Sequence, residues 1–369
     1  MPENKLCIGV VGGGFAAEFI HLPALRVHPA VGAILLCDHE LARVETLVQK
    51  YGLAGGYSDY HELFRQEELD AVVVVTPNHL HYPVTMAALE TGLHVLCEKP
   101  LALNYPQALA MYNRAQERGV VHATSFTYRF IPAIRYLKEL VDTGYIGRPL
   151  LLNSKYYQQA YIEPDMPMVW RLMKERAGSG TLSDLGPHMV DLARWFVGDF
   201  KRVCGLMQTY PKERIHPDSR KLVDVEVETS CAFLATLGDG VQGVFELSQT
   251  AACRGNYQHI ELYGTEGMLI YELEANSEDW MLGKLSGGRR LELLDTLPLP
   301  EHLLRKFTST TDPIMHNFLT NRENVTWAFI ETILKNSPSL PGFYDGLQAQ
   351  AVVEAVAQSV EKRGWVELP

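Results

Sequence analysis

A run of four valines at residues 72–75, preceded by Ala71, restricts the fold more than any other segment of this chain. An uninterrupted β-branched run is typical of a strand that is buried on both faces, as in a parallel sheet covered by helices. The run lies within residues 1–124, where short apolar segments alternate with segments of helical spacing. This alternation predicts an α/β domain with a doubly wound parallel sheet and right-handed crossovers.

The pattern changes in the rest of the chain, residues 125–369. Beyond residue 148 the strand-like segments are longer, alternate polar with apolar residues and follow one another without regular helices, and the Gly-Asp-Gly sequence at 238–240 favours a hairpin. Helices are expected at residues 185–197 and 347–361. We therefore predict a second, α+β domain with a large, open, mainly antiparallel sheet, and the last helix can pack back on the first domain.

The turn after the first predicted strand fits the pattern Gly-x-Gly-x-x-Ala over residues 12–17. The first glycine of such a turn allows the tight bend, and the second lets the backbone approach a pyrophosphate. The following helix offers free N–H groups to phosphate oxygens. These features predict a Rossmann domain that binds a dinucleotide through Gly12, Gly14, Phe15 and Ala16.

Asp38 ends the second predicted strand, 24 residues after Gly14. A carboxylate at this point can accept hydrogen bonds from both ribose hydroxyls of the adenosine, and it repels a 2′-phosphate. The sequence therefore favours NAD over NADP, although His39 and Arg43 are close enough in sequence to change that preference.

Two further polar clusters follow predicted parallel strands, where ligands bind in open α/β sheets. Thr76, Asn78 and His81 come after the valine run, and Glu98 and Lys99 come after the next strand. A lysine at a strand end beside a nicotinamide can donate to a substrate oxygen and stabilise an alkoxide. We expect all five residues on the cofactor side of a site, with Lys99 also contacting the substrate.

Asp184, His188, Asp191 and Trp195 share one stripe of a predicted helix, next to an apolar stripe that suits a core. Ser183 or Asp184 is expected to cap this helix. Histidine is the side chain best suited to exchange a proton near neutral pH, and a carboxylate one turn away can orient it. The stripe therefore predicts acid–base chemistry, with a structural cap and a buried histidine as the alternative.

These clusters together resemble the Gfo/Idh/MocA oxidoreductase family, named from glucose–fructose oxidoreductase and inositol dehydrogenase. The resemblance covers nearly the whole chain, with one small departure where Ser179 interrupts the glycines before Asp184. Its motifs are the glycine turn, Thr76-Pro77-Asn78 with His81, Glu98-Lys99-Pro100, Tyr128-Arg129-Phe130, Trp170-Arg171, the Asp184/His188/Asp191 segment and residues 262–267.

The resemblance implies roles for individual residues. Lys99, Asp184 and His188 correspond to the family's catalytic lysine, aspartate and histidine, and Asp191 corresponds to a substrate contact. Arg171, like Asn78 and His81, corresponds to a contact on the cofactor side. The polar segment 212–221 is longer than the family core needs.

These residues lead to the hypothesis of an NAD(P)-dependent dehydrogenase that acts on a sugar, inositol or related polyol. The substrate side is expected to include Lys99, Tyr128, Tyr156, Asp184, His188 and Asp191. One alternative is redox-assisted elimination or hydrolysis of a glycoside with permanently bound NAD. Another is a non-catalytic sugar-sensing regulator on the same fold.

Charge and composition limit the possible partners. The formal net charge of −11 argues against nucleic-acid and membrane-surface binding. The N-terminus lacks a signal-peptide pattern, and the six cysteines are spaced like buried thiols, so we expect a cytoplasmic protein. No metal is expected, since His79, His81 and His188 fit no familiar zinc spacing. By resemblance, we expect a homodimer or homotetramer formed through the open sheet.

Overall fold

The computed structural model describes residues 5–275, 282–304, 324–335 and 340–368, and the chain divides into two compact units. Unit 1 contains the described residues up to Thr127 together with those from 324 to 347. Unit 2 contains the described residues from Tyr128 to 304 and from Gln348 onward. The sequence placed the boundary at residue 124, within the last strand of unit 1.

Unit 1 is built on a six-stranded sheet in the order β3-β2-β1-β4-β5-β6, in which every pair is parallel. The central strands are buried on both faces, as the valine run predicted. The doubly wound sheet predicted from the alternation of segments is thereby confirmed. The strands are β1 Leu6–Val11, β2 Val31–Cys37, β3 Gly55–Tyr57, β4 Ala71–Val74, β5 His94–Cys97 and β6 His122–Thr124.

The crossovers of unit 1 are helices whose ends follow local chemistry. Asn104 accepts a hydrogen bond from the Gln107 amide at 3.0 Å and begins α5, and Gly119 ends it in a left-handed conformation. The helix after the glycine turn contains a π-helical turn, Ala17–His21, which the sequence did not predict. The helices are α1 Leu22–Val27, α2 Leu41–Tyr51, α3 Tyr60–Gln66, α4 Asn78–Glu90, α5 Tyr105–Arg118 and, later in the chain, α10 Val325–Lys335.

Unit 2 is built on a nine-stranded sheet in the order β16-β15-β14-β13-β7-β12-β11-β8-β17. Its pairs are antiparallel except β7 with β12, so the predicted antiparallel sheet is confirmed as a mixed one. The predicted hairpin at 238–240 joins β11 to β12. The strands are β7 Pro149–Tyr157, β8 Phe200–Gln208, β11 Ser230–Leu237, β12 Val241–Ser248, β13 Tyr257–Gly264, β14 Gly267–Leu273, β15 Lys284–Arg289, β16 Asp295–Thr296 and β17 Val366–Glu367, with a separate pair, β9 Glu213–Ile215 and β10 Leu222–Asp224.

The helices of unit 2 are α6 Pro132–Asp142, α7 Lys174–Ala177, α8 Thr181–Asp184, α9 Gly186–Val197 and the part of α11 Phe343–Lys362 from Gln348 onward. The sequence missed α6. Gly205 of β8 lets α11 approach closely, since a Cβ there would lie 2.9 Å from Val356. Of the helices that the structure describes, none is both long and apolar enough to cross a membrane.

We expect the buried face of the unit 2 sheet to dominate the stability of that unit. Phe245 is fully buried and its ring stacks on Phe233 at 4.5 Å. Phe245→Ala should lower the free energy of unfolding by roughly 3–5 kcal/mol in urea denaturation, because the cavity cannot fully collapse.

Leu291 provides the control, because it lies in the turn between β15 and β16 of the same unit and is fully exposed. Leu291→Ala should change the free energy of unfolding by less than about 1 kcal/mol. Equal losses in the two variants would contradict this account of the sheet.

Candidate active site

Four turns of unit 1 leave the carboxyl ends of adjacent parallel strands. They begin at Gly12 after β1, Asp38 after β2, Val75 after β4 and Glu98 after β5. Because parallel strands end at the same edge of a sheet, these turns lie side by side. The structure therefore brings the predicted cofactor residues of unit 1 to one edge.

The glycine turn has the geometry that a pyrophosphate needs. Gly12 has φ +105°, and a Cβ on it would lie 2.4 Å from the carbonyl oxygen of Val75. A Cβ on Gly14 would meet nothing within 4 Å, so the backbone there is open to a ligand. Phe15 is 69% exposed directly after it, and Ala16 precedes the π-helical turn. These residues fit the phosphates of a dinucleotide.

Asp38 is buried at the end of β2, where its carboxylate fixes the glycine turn. Its Oδ2 accepts from the Gly13 amide at 2.7 Å, and its Oδ1 accepts from the Glu40 amide at 3.0 Å. Two basic side chains lie against it, with His39 Nδ1 at 3.1 Å and Nη1 of the Arg43 guanidinium at 3.4 Å. Asp38 is thus a buried acceptor at the end of β2, with an arginine beside it.

Glu98 is buried in a polar chain that precedes Lys99. Its Oε1 lies 3.0 Å from Nε2 of the fully buried His21, whose Nδ1 lies 2.7 Å from the Thr326 hydroxyl. Its Oε2 accepts from the Lys99 amide at 3.1 Å. Burial alone would raise the pKa of Glu98, but the hydrogen bond and charge of His21, with Lys99 and Ser125, outweigh it and lower that pKa to about 2. The carboxylate is therefore ionised and holds the backbone at Lys99.

His81 joins two of the strand-end turns. Its Nδ1 lies 2.7 Å from the Pro100 carbonyl and its Nε2 lies 2.9 Å from the Thr76 carbonyl. Burial lowers the pKa of His81, and the two carbonyls oppose this effect. Asn78 is buried at the start of α4. Both His81 nitrogens are thus used inside the protein, so this side chain positions the Lys99 turn.

In unit 2, the predicted helix over Asp184 and His188 is broken at Leu185, between α8 and α9. The expected cap is wrong, because Leu185 is the N-cap of α9 and no side chain bonds there. The Asp184 carboxylate is held from other elements instead. Gln249 Nε2 donates to Asp184 Oδ2 at 2.8 Å, and Arg171 Nε lies 3.8 Å from the same oxygen. The predicted cofactor contact Arg171 is thus found at Asp184, and Gln249 was not foreseen.

His188 lies on α9, 7% exposed, beside two tyrosines that the sequence placed on the substrate side. The Tyr128 ring meets the imidazole edge-on at 4.6 Å, and the Tyr156 ring lies 6.3 Å away. The two phenol oxygens are 2.7 Å apart, and Asn256 bonds to both, at 2.7 Å from Tyr156 and 3.1 Å from Tyr128. His188 is therefore flanked by the rings of Tyr128 and Tyr156. Their hydroxyl groups are fixed by the Asn256 side chain, which the sequence analysis did not identify.

Asp191 is fully buried one turn further along α9. Arg129 donates two hydrogen bonds to its carboxylate, from Nε to Oδ2 at 2.7 Å and from Nη2 to Oδ1 at 2.5 Å. The guanidinium also lies over the Trp195 ring at 5.2 Å. That Asp191 contacts a substrate stays a prediction, and its carboxylate already has a strong internal partner.

Within the described parts of the chain, no three His, Cys, Asp or Glu side chains are grouped in a way that could hold a metal ion.

Comparison with models of known families identifies the family of this chain. Residues 6–126 match the model described as the oxidoreductase family with an NAD-binding Rossmann fold, and residues 134–270 match the Gfo/Idh/MocA C-terminal domain. The chain belongs to the Gfo/Idh/MocA oxidoreductase family, as its motifs predicted. It is therefore an oxidoreductase with an NAD-binding domain.

The similar proteins include dehydrogenases of sugars and polyols. Levoglucosan dehydrogenase of Pseudarthrobacter phenanthrenivorans is 28% identical, over 99% of each chain. Its structure with NADH and levoglucosan has a TM-score of 0.88, at 27% identity over 99% of this chain and 100% of that one. A structure from Kribbella flavida, described as an oxidoreductase domain protein, is 31% identical over 99% and 100%, with a TM-score of 0.83. Myo-inositol 2-dehydrogenase of Thermotoga maritima is 29% identical over 71% and 74%.

The ionised Glu98 should make unit 1 acid-sensitive. Because its folded pKa is depressed to about 2 from 4.5, its stabilisation is present above pH 4.5 and is lost as the pH falls towards 2. Glu98→Gln should therefore lower Tm at pH 7 but flatten the decline of Tm between pH 5 and pH 3, measured by circular dichroism.

The matched control is Glu62→Gln, which changes an exposed carboxylate of α3 in the same unit. It should leave both Tm and its pH dependence unchanged. If the plots of Tm against pH are parallel for wild type and Glu98→Gln, Glu98 is not the cause of the loss of stability in acid.

Proposed function

We propose that this protein is an NAD-dependent dehydrogenase that moves a hydride between nicotinamide and a hydroxyl-bearing carbon of a sugar, inositol or related polyol. The observation that carries the proposal is the single edge at which the glycine turn, Asp38 and the Glu98-Lys99 turn meet. Along the strand order β2-β1-β4-β5, Asp38 would serve as the ribose acceptor, the glycine turn as the phosphate cradle and Lys99 as the cationic donor, which is the order that a dinucleotide requires. Relatives that oxidise levoglucosan and myo-inositol support this substrate class.

The residue roles follow from side-chain chemistry. Bound NAD would supply the hydride acceptor. His188 takes the proton of the substrate hydroxyl as general base, and Lys99 donates to the same oxygen and stabilises its developing charge. Asp184 is held on one side by Gln249 and orients the imidazole one turn away.

We assign the other predicted contact residues either to the substrate or to the cofactor. Tyr128 and Asp191, the latter acting with Arg129, belong to the substrate side. Tyr156 supports Tyr128 through the bond between their hydroxyls. Gly12, Gly14, Phe15 and Ala16 bind phosphate, while Thr76, Asn78, His81 and Glu98 shape the turns around it.

The cofactor preference is proposed to be NAD over NADP. The Asp38 carboxylate would accept from the ribose hydroxyls and would repel a 2′-phosphate. Arg43, whose Nη1 lies 3.4 Å from Asp38, is the residue that would attract such a phosphate once the carboxylate is removed.

The assembly is proposed to be a homodimer or homotetramer formed through the outward face of the unit 2 sheet. Leu206 and Leu234 are exposed on adjacent strands of that face, 71% and 49%. Light scattering on the purified protein would give the mass. We also propose a cytoplasmic location, in line with the six cysteines, which are all free thiols.

The first test is turnover with NAD or NADP and a panel of inositols, aldoses, polyols and glycosides, read as absorbance of reduced nicotinamide. For each substrate that reacts, His188→Ala should lower kcat roughly 100- to 10,000-fold, as loss of a general base does. Its KM for NAD should change little, because the phosphate and ribose contacts proposed in unit 1 are unchanged.

The control is His302→Ala, which changes an exposed histidine of the same unit that pairs with Glu139. It should leave kcat unchanged. Full turnover by His188→Ala would refute the assignment of the base, and release of NAD from the denatured protein without any turnover would favour the bound-cofactor alternative.

Removing the Asp38 carboxylate should change the cofactor preference. Asp38→Ser should lower kcat/KM with NAD roughly 10- to 100-fold, the effect of losing hydrogen bonds to a charged acceptor, and should raise it with NADP. Asp239→Ser, in the exposed hairpin turn of unit 2, should change neither value. An unchanged ratio between the two cofactors in Asp38→Ser would overturn the assigned role.

A further inference from the structure

Residues 161–171, here called the strap, reach the Asp184 carboxylate at both ends. At the first end, the Tyr161 amide donates to the Gln249 carbonyl at 2.8 Å, and the Gln249 side chain holds Asp184 at 2.8 Å. At the other end, Arg171 Nε lies 3.8 Å from Asp184. The path of the strap therefore decides which groups lie next to this carboxylate.

The middle of the strap is held by β9 through Arg214. This arginine is fully buried, and its guanidinium donates to the carbonyls of Glu163 and Met166, both at 2.9 Å, and of Tyr161. The Met168 amide donates to the carbonyl of Ile215, the next residue of β9, at 2.9 Å. The strap is thus tied to the β9–β10 hairpin at four backbone positions.

The partners of Arg214 are unusual for a buried cation. Among the described residues, its hydrogen bonds go to backbone carbonyls and none goes to a carboxylate. Burial lowers the pKa of this guanidinium, which reflects the cost of removing the charge from water. A planar fork can meet several carbonyls in fixed directions, whereas an ammonium cannot. The Arg214 guanidinium is therefore better suited to fixing the path of the strap backbone than to raising the free energy of unfolding.

The strap and the hairpin also share a small apolar cluster. Tyr161 and Met168 of the strap, and Leu172 directly after it, pack there against Val225 and Val227, which follow β10. The polar segment at 212–221, which the family resemblance left without a role, is thereby part of the structure that supports Asp184.

We propose that Arg214 is a specificity-determining residue, which acts by holding the strap so that Arg171, beside Asp184, meets the substrate groups remote from the reacting carbon. The inference rests on the proposed function and names the element that selects among hydroxylated substrates. Arg214 itself touches neither substrate nor cofactor and is a positioning residue.

The test compares Arg214→Met, which keeps the length but removes the charge and donors, with Arg214→Lys, which keeps the charge but loses the fork. In both variants, the ratio of kcat/KM for the best substrate to kcat/KM for the second-best substrate should fall about tenfold. This is the size of the discrimination that a single pocket contact supplies. KM for the substrate should rise more than kcat falls, and KM for NAD should stay within about twofold. Arg220→Met, an exposed position of the same hairpin, should leave all these values unchanged.

Hydrogen exchange gives a second readout that needs no turnover. The amides of Tyr161 and Met168 should exchange faster in both Arg214 variants, while those of β7 and β11 keep their wild-type rates. An equal loss of kcat/KM for every substrate, or unchanged exchange in the strap, would overturn this inference while leaving the dehydrogenase proposal intact. Absence of turnover in the wild type would instead remove the proposed function, whatever the strap does.

Discussion

The parallel pairing of β1 with β2 and β4, and of β4 with β5, is the constraint on which the nucleotide half depends. Strands that run in the same direction must end at the same edge, so the turns that leave them are packed closely together. Gly12 shows how tight this packing is, because any Cβ there would collide with the Val75 carbonyl. The backbone pairing thus brings the predicted cofactor-binding residues, which are far apart in sequence, to one edge of the sheet.

Side-chain contacts then refine this edge. Asp38 bonds to the glycine turn, His81 joins the turns after β4 and β5, and Glu98 holds the Lys99 backbone. Each of these groups is buried, and each would be costly to bury without its partner. The polar residues that look like ligand contacts in the sequence are therefore also the residues that fix the turns.

The sequence predicted regular features well because they depend on local periodicity. The valine run, the glycine turn and the hairpin at 238–240 each have a short-range physical cause. Two failures have long-range causes. Gln249 lies 65 residues from Asp184, and Arg129 lies 62 residues from Asp191, so no local pattern reports either bond. The expected cap by Ser183 or Asp184 is wrong because the helix restarts at Gly186 with Leu185 as its N-cap, and an apolar side chain cannot accept a hydrogen bond there.

The carboxylates of Asp184 and Asp191 are held by different chemistry. Asp191 is met by a bidentate, charged guanidinium, that of Arg129. The partner of Asp184 at 2.8 Å is a neutral amide, while Arg171 stays at 3.8 Å and its side chain is 47% exposed to solvent. An amide fixes the direction of a carboxylate without neutralising it. An acid that assists a base needs a fixed direction, so the role proposed for Asp184 beside the His188 base draws on the orientation that the Gln249 amide imposes, whereas Asp191 takes its orientation from the Arg129 guanidinium.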